Sequence, residues 1–327
     1  MSFIRRIKPY LRWLVLGAAL FFLFTTVREN WLAMAEVQTT PATWAGLVIA
    51  LGVTLLAHIW SGWVWHWILQ ALDIQVGGLW TTAIYLKTNL AKYIPGNVWH
   101  FYGRVRALQA AGASLGGATV GVLLEPLLMA AGALVLVAVG SWQFLGGWPL
   151  LGLLFVLAGV HPYLLNPLLK RLSQSRLKGQ PLGREQLQRY PIKAFLGELG
   201  FVLIRGLGFV ITLAALQPLA PAQLLPVLGA FSAAWLLGLV VPGAPGGIGV
   251  FEAVAIALLN GQLPVGQILS GVLCYRLIST LAEAAGAGLV WLDQPTRNRT
   301  LQPYAPLLLP PGQPTPQDNS PSSEAEE

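Results

Sequence analysis

The sequence is poor in charge. Only 10% of its 327 residues are Asp, Glu, Lys or Arg, and 55% are hydrophobic, whereas soluble domains carry about 25% charged residues. A soluble fold of this length would need more polar side chains to cover its surface. The charges are also clustered, which leaves apolar stretches longer than the roughly 20 residues that cross a bilayer. The sequence therefore predicts an all-α, polytopic membrane protein.

Cysteine and the common catalytic motifs are also scarce. The single cysteine, Cys274, excludes an intramolecular disulfide framework and a thiolate metal site. His58 and His66 share one helical face, but no acidic cluster accompanies them, so we predict no metal and no cofactor. The sequence contains no Walker A motif and no Ser-His-Asp or paired-carboxylate pattern. We therefore predict that the chain is not an enzyme.

Apolar segments predict about six membrane spans. The first, at 13–27, follows basic residues and lacks the features of a cleaved signal peptide. The others cover 44–69, 116–142, 148–169, 194–216 and 265–292. The chain from 294 to 327 is rich in proline and ends in serine and glutamate, which predicts a disordered tail. Residues 1–293 are thus the predicted membrane domain.

The net charge of +7 lies largely between the apolar segments. This distribution indicates orientation in a membrane and argues against a nucleic-acid partner. Residues 170–193 hold seven basic residues and one acid, which predicts a cytoplasmic loop. We expect a multi-pass protein of a bacterial plasma (inner) membrane with both termini in the cytoplasm.

Two further apolar segments are interrupted by Pro-Gly sequences. One covers 79–111 and breaks at Pro95-Gly96; the other covers 222–260 and breaks at 242–249. The topology closes if both are re-entrant hairpins of opposite orientation, an inverted-repeat arrangement that indicates a transporter-type binding site. The alternative is a pair of ordinary spans kinked at proline, and the sequence leaves open whether 222–260 crosses completely.

The first break carries a cluster of cations. Proline at 95 and glycine at 96 interrupt the helix, and the helix that restarts presents free amide groups and a positive dipole end. Lys92, His100 and Arg104 follow at intervals suited to one helical face. This combination suits a phosphate or phosphodiester. The alternative is that the cations extend to the membrane surface and bind nothing.

The second break places Glu252 in the first turn after Pro245-Gly246-Gly247. There it acts as a helix-start charge, as a partner of Arg104 or Lys92, or as a proton carrier. Other charges in the apolar segments recur seven residues apart on one helix, as Glu198 with Arg205 and Arg276 with Glu283. Structural salt bridges between helices are one reading of these charges; Arg205 and Arg276 are also candidate anion contacts.

Together the two motifs resemble the lysylphosphatidylglycerol synthase transmembrane-region family, a flippase-like membrane domain. The resemblance rests on residues 92–104 and 245–252 and covers roughly residues 5–292. It implies the movement of anionic or modified lipids between leaflets, with the signature at Pro95, Gly96, Arg104, Pro245, Gly246, Gly247 and Glu252. The soluble aminoacyl-transfer domain of the synthases has no counterpart here, so aminoacylation is not implied.

The function predicted first is that of a lipid flippase, or a transporter of a lipid-linked substrate, for an anionic headgroup. An intramembrane transferase that acts on a lipid phosphate, with His100 or Glu252 as general base, is the first alternative. A non-catalytic scaffold that recruits partners through the basic loop is the second. The expected partners are membrane lipids, with a homo-oligomer or a separate lipid-modifying protein also compatible.

Overall fold

The structure is a computed structural model that describes residue 28 and residues 40–94, 98–167, 186–240 and 249–301, with side chains described as far as residue 293. The helices are α1 (Pro41–Ala71), α2 (Gly78–Asn89), α3 (Trp99–Ala110), α4 (Leu115–Gly140), α5 (Trp142–Leu145), α6 (Trp148–Gly159), α7 (Ile192–Leu216), α8 (Pro221–Val240), α9 (Val250–Leu259) and α10 (Val265–Leu301), and a 3₁₀ turn covers Leu90–Tyr93.

Several of these helices are long and apolar enough to cross a membrane. In the described part of the chain there are five: α1, α4, α7, α8 and α10 as far as Asp293. The prediction of a multi-span, helical membrane protein is confirmed at this level. The predicted first span, at 13–27, and most of the basic loop, residues 170–185, lie outside the described residues.

The predicted span at 148–169 differs from the structure. Helix α6 ends at Gly159, and the chain bends at His161 before a further helical turn starts at Pro162. Proline has no amide hydrogen to continue the ladder and disfavours helical geometry in the residue before it. At 12 residues, α6 is about 18 Å long, which is shorter than the roughly 30 Å hydrocarbon core.

One order of elements occurs twice. A long helix, α1, is followed by the two arms α2 and α3 and by a second long helix, α4; in the second half α7, the arms α8 and α9, and α10 follow in the same order. We call α2 with α3 the first hairpin and α8 with α9 the second hairpin. The residues that join the two arms, 95–97 and 241–248, lie outside the described residues.

Capping residues fix where the helices begin. Thr40 and Thr43 exchange backbone-to-hydroxyl hydrogen bonds at 3.2 Å, and Pro41 occupies the first turn of α1. At α4 the Ser114 hydroxyl accepts from the Gly117 amide at 3.0 Å. These caps set the first residues of α1 and α4.

The two halves pack together through the long helices. Helix α1 lies along α7, and α4 contacts both α7 and α8. Close approach depends on glycine where α4 crosses α8, because a Cβ on Gly140 would lie 2.7 Å from the Gly229 Cα. In the second half four aromatic rings, Phe209, Phe231, Phe251 and Tyr275, pack with centroids 5.4–6.0 Å apart, and they join α7, α8, α9 and α10.

The chain divides into two compact units, Met1–Ala287 and Gly288–Glu327. The first contains α1 to α9 and most of α10. The second begins with the end of α10, whose backbone is helical to Leu301. The helix therefore includes residues 294–301, which the sequence assigned to the disordered tail; residues 302–327 lie outside the described residues.

Candidate functional site

A cavity of about 340 Å³ lies where the first hairpin meets α1, α4, α7 and α8. We call it the central cavity. Its charged and histidine lining consists of His58, Lys92, His100, Arg104, Glu125 and Arg205. Four of the predicted site residues, Lys92, His100, Arg104 and Arg205, thus surround one space although α7 is remote in sequence from the first hairpin. Whether they bind a substrate there remains a prediction.

Arg104 is almost completely enclosed, with 2% of its surface exposed. Its Nη1 donates to Glu125 Oε2 at 2.5 Å, and its Nε donates to the Thr88 hydroxyl at 3.2 Å. The guanidinium also lies over the Tyr85 ring, 3.9 Å from the centroid. Arg104 is therefore held by residues of α2 and α4, and its carboxylate partner belongs to α4.

Lys92 connects the first hairpin to α10. Its Nζ donates to Glu283 Oε1 at 2.5 Å, and the neighbouring Tyr93 hydroxyl lies 3.0 Å from the Thr280 hydroxyl. Glu283 is buried, and its Oε1 also lies 3.3 Å from His58 Nε2. The lysine thus faces the cavity and at the same time neutralises a buried acid.

Arg205 differs from the other two cations of the central cavity. Its Nη2 donates to the Ser279 hydroxyl at 2.8 Å, and its buried Nε has no hydrogen-bond partner in the described structure. Among the described residues no carboxylate lies within 4 Å of it. Phe201 and Trp235 flank the guanidinium at about 6 Å. Arg205 is therefore a cation that, within the described part of the chain, is held in place without an acidic partner.

A second, smaller cavity of about 70 Å³ adjoins the first. Lys92, Arg205 and Trp235 line both, and Arg276 lines the smaller one. Arg205 therefore lies in the wall that the two cavities share.

Glu252 pairs with Arg276 across α9 and α10. Arg276 Nε donates to Glu252 Oε1 at 2.7 Å, and Nη2 donates to Oε2 at 3.0 Å, a bidentate geometry. Glu252 Oε2 also accepts from the amide of Gly249, whose φ of 80° suits glycine. Glu252 therefore fills its predicted helix-start role. In this structure Glu252 does not pair with Arg104 or Lys92, because those cations bind Glu125 and Glu283.

Three of the four acids and cations spaced seven residues apart have partners on other helices. Arg276 and Glu283 bind α9 and the first hairpin respectively, and Arg205 binds Ser279. Glu198 is buried on α7, and neither of its carboxyl oxygens has a hydrogen-bond partner in the described structure. The salt bridges between helices that the sequence left open as an alternative are therefore present, but not for Glu198.

The histidines do not form a metal site. Within the described ranges no group of three His, Cys, Asp or Glu side chains could hold an ion. His100 lines the central cavity, packs on Phe101 at 3.9 Å between ring centroids, and has an unbonded Nδ1. The predicted loop residues Pro95, Gly96, Pro245, Gly246 and Gly247 lie outside the described residues.

The sequence missed several residues of the central cavity. Tyr85, Asn89 and Trp235 line it, and Asn89 Oδ1 lies 3.4 Å from Arg104 Nη2. Asn89 stands three residues before Lys92, within the first motif, and this position was a usable signal. Trp235 carries no such signal, because tryptophan is frequent throughout the chain. Comparison of the chain with known protein families and with curated proteins finds no match.

Proposed function

We propose that the chain moves an anionic lipid, or a lipid-linked anion, between the leaflets of a membrane, with the headgroup held in the central cavity. The observation that carries the proposal is the cavity's charge. Lys92 with Glu283 and Arg104 with Glu125 form neutral pairs, which leaves Arg205 as a single positive charge without an acidic partner among the described residues. One unneutralised cation matches the single negative charge of a phosphodiester.

The surroundings of the cavity support a lipid substrate. Leu123, Leu239, Met129 and Trp235 complete its wall, and apolar helices surround it, so acyl chains can remain in the hydrocarbon region while the headgroup occupies the polar space. The resemblance of residues 92–104 and 245–252 to the flippase-like family is consistent with this substrate class. Arg205 would make the first contact, and Lys92 and Arg104 would reach the phosphate by exchanging partners.

In the proposed cycle the two hairpins are re-entrant and open alternately to the two sides. Each return arm is fastened to the following long helix by one ion pair, Arg104 with Glu125 in the first half and Glu252 with Arg276 in the second. The two pairs occupy equivalent places in the repeated order of elements but have opposite polarity. Opening of one hairpin then requires one pair to separate while the other holds.

The test is leaflet exchange of fluorescent phospholipids in liposomes that contain the purified protein. The wild type should accelerate exchange of phosphatidylglycerol over empty liposomes, and Arg205→Gln should slow it by at least about tenfold, the loss of about 1.4 kcal/mol. Arg106→Gln is the matched control, because Arg106 is an exposed cation on α3. Ser279→Ala keeps the guanidinium and removes only its hydroxyl partner, so exchange should largely persist.

Three results would contradict the proposal or redirect it. Equal exchange by the wild type and Arg205→Gln would remove Arg205 from the headgroup site. Loss of the folded protein in Arg205→Gln, seen by gel filtration, would make Arg205 structural. A change in the mass of the lipid would favour the transferase alternative, for which the cavity offers His100 with its unbonded Nδ1.

A further inference from the structure

Glu198 is the one buried acid of the described spans that takes part in no ion pair. It lies on α7 with no exposed surface, and both carboxyl oxygens lack hydrogen-bond partners in the described structure. An ionised carboxylate in such surroundings costs several kcal/mol, so a buried acid without a partner keeps its proton. Glu198 is thus a proton-binding group in the state that the structure shows.

The packing of α4 against α7 encloses this carboxyl. A Cβ on Gly132 would lie 2.9 Å from the Leu199 Cα and 3.3 Å from the Glu198 carbonyl carbon, so the two backbones touch where Glu198 stands. The close approach of the two backbones contributes to the burial of Glu198.

Glu198 is nevertheless adjacent to the central cavity. Phe201, one turn along α7, and Glu125 on α4 both line that cavity, and the charges of Glu125 and Arg104 act on Glu198. The other ionisable groups around it are Tyr85 on α2, which interacts with Glu198, and His58 on α1, which packs against Phe201. Glu125 and Arg104, which line the central cavity, are thus the charged groups that couple Glu198 to it.

We propose that Glu198 carries a proton that is transported together with the lipid anion. This inference rests on the proposed function and adds its driving force. With Glu198 protonated, the charges around the cavity sum to the one positive charge of Arg205 and accept a monoanionic headgroup. With Glu198 ionised the sum is zero and the anion is released. Arg205 lies seven residues further along α7, about 10 Å away, so each charge affects the other through the low-dielectric bundle.

The proposal fixes the stoichiometry and the response to gradients. One proton moves with one lipid monoanion in the same direction, so the step carries no net charge. No bond other than the O–H bond of the Glu198 carboxyl forms or breaks. A pH gradient should therefore drive lipid accumulation in one leaflet, and a membrane potential should not.

The experiment uses liposomes that contain the full-length protein and fluorescent phosphatidylglycerol. The wild type should shift the lipid distribution when a pH gradient is imposed, and nigericin, which collapses that gradient, should abolish the shift. Valinomycin-imposed potentials should leave the distribution unchanged. Glu198→Gln should lose the response to pH and exchange the lipid more slowly than the wild type, because the cavity keeps its single positive charge and holds the anion. Asp73→Asn, an exposed acid on the loop after α1, is the matched control and should respond like the wild type.

A second measurement needs no lipid movement. The infrared carbonyl band of a protonated carboxylic acid should be present in the wild type at neutral pH and absent from the Glu198→Gln spectrum. Its absence from the wild type would overturn the proposal. Exchange that is insensitive to the pH gradient would also overturn it while leaving the proposed function intact. A complete lack of exchange with the band present would instead refute the proposed function, and the proton site would stand alone.

Discussion

Replacement of Glu125 by glutamine would leave the Arg104 guanidinium buried without a carboxylate. The remaining contacts are the Thr88 hydroxyl at 3.2 Å, the Asn89 amide oxygen at 3.4 Å and the face of Tyr85. These are neutral groups and cannot balance the charge. Removal of one partner of a buried ion pair costs about 3–5 kcal/mol, because the other charge is left uncompensated.

The double variant Arg104→Gln, Glu125→Gln removes both charges and should cost much less than the two single changes added together. We expect an interaction energy of about 3 kcal/mol between the two positions. The Glu252–Arg276 pair provides an internal comparison. Its side chains retain 19% and 12% exposure, against 3% and 2% for Glu125 and Arg104. Glu252→Gln should therefore cost about 1 kcal/mol.

The assay is reversible unfolding in mixed micelles, monitored by tryptophan fluorescence, for the single and double variants. Arg106→Gln, an exposed cation two residues from Arg104, is the control and should change the free energy of unfolding by less than about 0.5 kcal/mol. A cost below about 1 kcal/mol for Glu125→Gln would refute the reasoning, because it would show that the guanidinium does not depend on this carboxylate. Loss of transport in an Arg104 variant therefore bears on function only if the variant is shown to fold.

Two other changes test the packing and the attachment of the first hairpin. Gly140→Ala should destabilise the protein by about 1–3 kcal/mol, because its Cβ would lie 2.7 Å from the Gly229 Cα. Gly52→Ala, whose Cβ meets no atom within 4 Å, should instead stabilise α1 by up to about 1 kcal/mol. Thermal unfolding in detergent measures both changes, and equal effects would contradict the close crossing of α4 and α8. Lys92→Gln should accelerate amide hydrogen exchange in residues 84–94 because Glu283 loses its cation, with α6 as the internal reference, and unchanged exchange would show that this ion pair does not hold the hairpin.

The predicted helices came close to the observed ones because the signal for a membrane helix is local. Hydrophobic length decides where a segment enters the bilayer. The predicted segment 194–216 starts two residues after α7 does, and the predicted segment 265–292 starts at the same residue as α10. The exception is 148–169, where hydropathy is continuous but Pro162 interrupts the backbone. Apolar content alone predicted one continuous span there, although a proline cannot donate the backbone hydrogen bond that would continue the helix.

The candidate site was only partly accessible to the same reasoning. Spacing predicted that Lys92, His100 and Arg104 share a helical face, and the three line one cavity; that they bind a substrate stays a prediction. It did not show which helix faces that surface. Arg205 comes from α7, and its lack of an acidic partner among the described residues is visible only once α10 and Ser279 are in place.

The sequence by itself determined that the chain is a bundle of apolar helices, several of them long enough to cross a membrane, since apolar length and charge content act within one segment. Only the tertiary structure decided how the buried charges are paired: Arg104 with Glu125, Lys92 with Glu283, and Glu252 with Arg276. A charge in an apolar bundle must find a partner, but helix packing chooses which one. The same packing left Arg205 and Glu198 without partners of opposite charge in the described structure, and these two residues carry the functional proposals.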